Sequence, residues 1–171
     1  MNIIPLAGPA LPLPRTVSAS TEELHQLAAE AIANWDRHVP FMVFKLLPFG
    51  DLSGDVCVRP GPSTFVDMPL HGPYCMVYMA PGPHSSAMIL THELWHTLNL
   101  PDALPPGWLT DGYINPVIVD TAASGSYRGI ALSTIVPQEQ WFGADDIATL
   151  QHHFSPLIYR QYIPEVSTDA E

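Results

Sequence analysis

Leu24, Leu27, Ala28, Ala31, Ile32 and Trp35 recur at three- and four-residue intervals, the spacing of one face of an amphipathic helix. Ser20-Thr21-Glu22-Glu23 stands before them in capping-box form, so the helix is expected to start there and to end near Val39-Pro40. The pattern then turns from helical to extended. Phe41 to Leu47 reads as a buried strand, and shorter strands are expected at Asp55 to Arg59, Ser63 to Val66 and Tyr74 to Ala80, punctuated by Pro60 to Pro62 and Gly72-Pro73. Met88, Ile89, Leu90, Leu94, Trp95 and Leu98 predict a second, largely apolar helix. Ile147, Leu150 and Phe154 supply the inward face of a third. A few short strands among three helices make an α+β domain.

The ends of the chain carry a different pattern. Met1 to Ala19 is apolar and holds Pro5, Pro9, Pro12 and Pro14, but it has neither a basic start nor an uninterrupted apolar run. It does not read as a signal peptide. An extended, polyproline-like arm is the better description, expected to be loosely ordered rather than laid across a neighbour or over the cleft. The chain is thus read as an arm (1–19), one globular domain (20–155) and a tail (156–171). A length of 171 residues suits that single domain.

Charge and hydropathy remove two classes of partner. A formal net charge of -11 with only 6 Lys plus Arg leaves no footprint for nucleic acid. No apolar run approaches the ~18–20 residues of a membrane span. Cys57 and Cys75 fall in expected strands, where they would form a disulfide if the strands are neighbours, or stay as buried thiols. Reduced thiols are expected. The cellular compartment stays open.

The chemistry is concentrated in His92-Glu93-Leu94-Trp95-His96. On a helix the two histidines are one turn, about 6 Å, apart on one face, so both imidazoles can reach one tetrahedral zinc. Glu93 lies beside that face, placed to take a proton from water, as the HExxH motif requires. Catalytic zinc needs a third protein ligand and an open position. Asp102, six residues beyond His96, can swing back over the metal if the chain turns sharply after Leu98. Asn99 tolerates the left-handed backbone such a turn needs, and Pro101 stops the helix.

This run resembles the extended motif of the metzincin clan of zinc metallopeptidases, HExxHxxGxxH or HExxHxxGxxD, in its Asp form. Leu98-Asn99-Leu100-Pro101-Asp102 is most similar to the Leu-Gly-Leu-Pro-Asp of snapalysin-like enzymes, with Asn99 in place of the glycine. Phe142 to Gln151, with its Asp145-Asp146-Ile147, resembles the start of the closing helix of matrixins. The resemblance implies a single metzincin-like domain: a small twisted mixed sheet with an N-terminal helix, an HExxH helix and a C-terminal helix. It implies one zinc ion held by His92, His96 and Asp102, Glu93 as general base, and protein or peptide substrates cleaved without a covalent intermediate. In the clan the strand before the HExxH helix, here Tyr74 to Ala80, edges the cleft and pairs with substrate; the residues themselves equally allow an internal core strand. The clan's methionine turn has no methionine here, since none follows Met88, and Leu132 stands in its place. Ser133 to Trp141 is where the clan walls the pocket after the scissile bond, and Ile135, Val136, Trp141 and Phe142 suggest an apolar preference there. The sequence leaves open whether calcium is also bound.

Rival assignments are weaker. Glu139 would be a third ligand in a gluzincin, but that clan supplies it from a helix and Pro137 favours a turn. Asp111 and Asp120 read as turn residues. Tyr113 and Tyr127 could donate to an oxyanion as a tyrosine does in some metzincins, but neither stands in the clan's position and both are expected to pack in the core or on the surface. The competing function class is a catalytically degenerate metzincin fold that binds zinc or a partner. Glu93 argues against it, because a structural zinc site has no use for an adjacent base and prefers four protein ligands.

Overall fold

Residues 3–68, 74–82, 86–101, 103–104, 117–118, 142 and 144–161 are described by the computed structural model, the side chains of the last segment as far as residue 155. The elements follow in the order β1 (Arg15–Ala19), α1 (Glu22–His38), β2 (Phe44–Leu46), β3 (Val56–Pro60), β4 (Phe65–Asp67), β5 (Cys75–Met79), α2 (Ala87–His96), β6 (Ala103–Leu104), β7 (Val117–Ile118) and α3 (Ala144–Gln161).

Thr21 caps α1, its side chain accepting from the Leu24 amide at 3.2 Å. Leu24, Ala28, Ala31, Ile32 and Trp35 are buried, as their spacing predicts. They share one core with Leu90, Leu94 and Trp95 of α2 and with the inner face of a five-stranded sheet. Full burial of side chains of this size stabilises by about 1.5–3 kcal/mol each.

The sheet runs β2-β1-β3-β5-β4. All its pairings are parallel except β4 with β5, which is antiparallel and forms one edge. Val17 pairs with Val56, and Val58 with Val77, so these residues, with Cys75 and Met79, line the buried face. A separate parallel pair joins β6 to β7.

Three expectations change. The first 19 residues are not all arm, because Arg15–Ala19 forms β1, a central strand bonded to β2 and β3. Nor is the arm loose. Ile4 is fully buried, its amide donates to Thr149 Oγ1 at 3.1 Å and its carbonyl accepts from His153 Nε2 at 2.7 Å. Of the two readings open for the strand before the HExxH helix, the internal one holds; the antiparallel edge belongs to β4. The third change is at the other end, where α3 runs past Pro156 to Gln161, into the segment read as tail.

Register also settles the cysteines. Cys57 pairs with Met76 and Cys75 with Val56, an offset of one residue between neighbouring strands. Side chains alternate faces along a strand, so the two thiols lie on opposite sides of the sheet. Both are free and buried.

Candidate metal centre

Ser86 caps α2, its side chain accepting from the Ile89 amide at 3.2 Å. Leu90, Leu94 and Trp95 seat one side of the helix in the core, with no exposure at all. That anchorage fixes the rotation of the helix and so the direction of the remaining side chains. His92 and Glu93 are both buried, at 6 % and 8 % exposure, and His96 is half-buried.

The two imidazoles converge. His92 Nε2 and His96 Nε2 stand 3.1 Å apart, with ring planes at 88°. Two nitrogens bound to one tetrahedral zinc at about 2.0–2.1 Å would be separated by about 3.3–3.4 Å, so the observed spacing is close to that of a chelating pair. The outer side of His96 is held by the backbone. Its Nδ1 lies 2.9 Å from the Leu100 carbonyl. A carbonyl only accepts, so Nδ1 carries the proton and Nε2 presents its lone pair. A metal-binding histidine is ordinarily held in this way by a backbone or carboxylate acceptor.

The exit turn produces that acceptor. Amides of Thr97, Leu98 and Asn99 bond back to Leu94, Trp95 and His96 at 3.1, 3.1 and 3.0 Å, tightening the end of the helix. Asn99 then takes φ 61°, the left-handed conformation its type favours. The chain reverses, bringing the Leu100 carbonyl to His96 and the Pro101 carbonyl to Trp95 Nε1 at 3.1 Å.

Asp102, the expected third ligand, lies outside the described residues. So do Leu132, Tyr113, Tyr127, Asp111, Asp120, Glu139, Ile135, Val136 and Trp141. Among the described residues no group of three or more His, Cys, Asp or Glu side chains is placed to hold a metal, and the histidine pair is what the fold brings together. Phe142 is the one residue of the expected pocket wall among the described residues. Its ring packs edge-on to Trp35 at 4.9 Å and against His38 at 5.5 Å, fastening the approach to α3 onto the end of α1.

One buried group beside this helix was not singled out from sequence. Arg15, 2 % exposed, donates from Nη1 to the Thr97 carbonyl and to Cys75 Sγ at 3.7 Å, and from Nη2 to the Asp55 carbonyl at 3.3 Å. It places a cation at the carbonyl-rich end of α2, directly beyond His96. The available signal was its isolation: no other Lys or Arg precedes Arg37. Burial pushes the Cys75 thiol up from its ordinary pKa, and the Arg15 charge offsets this in part.

No family model and no curated protein sequence matches the chain. Among solved structures it is similar to high choriolytic enzyme 1, a hatching enzyme zinc-protease from the medaka fish Oryzias latipes, with a TM-score of 0.54 and 13% identity. The alignment covers 85% of this chain and 88% of that one. At this identity the likeness speaks for the fold, which is the expected metzincin-like α+β arrangement. Among the described residues no helix is long and apolar enough to cross a membrane.

Proposed function

We propose that the protein is a zinc-dependent endopeptidase. The observation that carries this reading is the pair of Nε2 atoms 3.1 Å apart within an HExxH helix, with the His96 ring oriented by the Leu100 carbonyl at its Nδ1. The zinc-protease neighbour supports it at the level of the fold.

His92 and His96 would hold the ion through Nε2, with Asp102 as third ligand. Zinc bound there supplies a Lewis acid that acidifies water and polarises a carbonyl. Glu93, adjacent to His92, accepts the proton lost by the attacking water and returns it to the leaving amine. Its carboxylate acts by proton transfer alone, so no bond between enzyme and substrate is formed. β4 is the edge to which an extended peptide can add as a further strand. On this reading the cleft-edge role that the clan gives to Tyr74 to Ala80 would fall to Phe65–Asp67.

Zinc stoichiometry of the purified protein, measured beside Asp102→Ala and followed by digestion of a mixed peptide library, tests the proposal. One zinc per chain, weakened in the variant, together with peptide cleavage, is the expected result. A folded protein that takes up no zinc overturns it. Tight zinc with every peptide left intact would leave a non-catalytic metal-binding fold.

A further inference from the structure

The arm is hydrogen-bonded to the turn that follows α2, at Asn99. Ala7 N donates to the Asn99 carbonyl at 2.7 Å, and Asn99 Nδ2 donates to the Pro9 carbonyl at 2.8 Å. Between them, Gly8 comes so near that a Cβ added to it would lie 3.0 Å from Asn99 Nδ2 and 3.1 Å from its Cγ. Asn99 is thus gripped through its carbonyl and its side-chain amide by three consecutive residues of the arm. It is also the one non-glycine residue with positive φ among the described residues. The next carbonyl along the chain, that of Leu100, receives His96 Nδ1.

We propose that the N-terminal arm is a positioning element of the metal centre. Ala7, Gly8 and Pro9 hold Asn99 in its left-handed conformation, that conformation aims the Leu100 carbonyl at His96, and the carbonyl fixes the tautomer and direction of the His96 lone pair. Asparagine does here what glycine cannot. Both tolerate positive φ, but only asparagine adds an amide that ties the turn to the arm. The far anchor of the arm is Ile4, bonded to Thr149 and His153 of α3, so the strap is fixed at both ends. The inference rests on the zinc reading for its metal readout and on the His96 tautomer alone for its second.

The test is a double-mutant cycle on the full chain with Asn99→Gly, Gly8→Val and the pair combined, each first shown by thermal melting to be folded. Zinc affinity is read by competition with a chelator. Each single change is expected to weaken zinc roughly tenfold, the scale of outer-shell losses. Because both act through the same contact, the double variant is expected to lose less than about twofold beyond Asn99→Gly. Single variants within twofold of wild type overturn the proposal, as do losses that multiply in the double variant. Nitrogen-15 NMR of the His96 ring in zinc-free protein is the second readout. Wild type is expected as the Nδ1–H tautomer and Asn99→Gly as a mixture; an unchanged tautomer there also overturns the proposal. A wild-type protein that binds no zinc removes the peptidase reading but leaves this comparison decisive for the strap.

Discussion

Arg15, at the start of a central strand, donates to the carbonyl of Thr97, the residue that follows His96. The last carbonyls of a helix lack partners within it and form the negative end of its dipole. A buried guanidinium meets that need, and its other terminal nitrogen reaches the Asp55 carbonyl at 3.3 Å. Arg15→Met fills similar space but leaves both acceptors without this donor. It is expected to destabilise the protein by roughly 2–4 kcal/mol, seen as a fall in melting temperature of roughly 5–15 °C. Arg15→Lys should recover less than half of the loss, because an ammonium lacks the planar fork that spans both carbonyls. Equal melting temperatures for wild type and Arg15→Met would mean that the contact carries no stability.

Glu93 and the histidines should separate by role. Glu93→Ala is expected to keep zinc and lose hydrolysis by about 10²–10⁴-fold, the range that a positioned acid–base group supplies. His92→Ala is expected to lose both. Zinc content and kcat/KM, measured on the same preparations, make the comparison. Undiminished cleavage by Glu93→Ala would remove it as the base, whatever the metal does.

The thiols offer a test of register. Because Cys57 and Cys75 lie on opposite faces of the sheet, oxidising the folded protein should form no bond between them, and both should react with Ellman's reagent only on unfolding. Burial holds the Cys75 thiol above its ordinary range. At a pH between the unfolded and folded values the native state binds more protons than the unfolded chain, so stability falls as pH rises. The contribution is complete below the ordinary thiol range. Melting curves should therefore show a decline at alkaline pH that is shallower in Cys75→Ala. Identical pH profiles for the two proteins would count against the buried thiol as its source.

What could be read from the sequence depended on whether the signal was local. The helix spacing from Leu24 to Trp35 marks α1, which begins and ends close to where expected. HExxH with Asn99 likewise carries its own geometry, because the pairing of His92 with His96 and the left-handed turn both come from neighbours in sequence. β1 was hidden because its buried positions hold Arg15, Ser18 and Ala19 beside the single Val17, and its partners lie in distant segments. The choice between β4 and β5 as edge is a property of pairing order, and neither strand's composition encodes it. The arm misled for a related reason: proline content describes an extended chain without saying what the chain lies against.

The arm itself gives the last test. A loose, proline-rich terminus would be cut readily by proteases and would tolerate substitution. Here Ile4 has no exposure, Leu13 has 2 %, and the Ile4 carbonyl is held by His153 at 2.7 Å. Ile4→Ala removes side-chain volume from a filled site and is expected to cost roughly 2–4 kcal/mol. It should also expose the segment from Ile4 to Leu13 to a non-specific protease such as thermolysin under conditions where wild type is resistant. His153→Ala should act in the same direction but more weakly, by about 1 kcal/mol, the usual worth of one hydrogen bond. Equal cleavage of wild type and both variants would show that the arm contributes nothing to the stability of the domain, and would remove the anchor on which its grip of Asn99 depends.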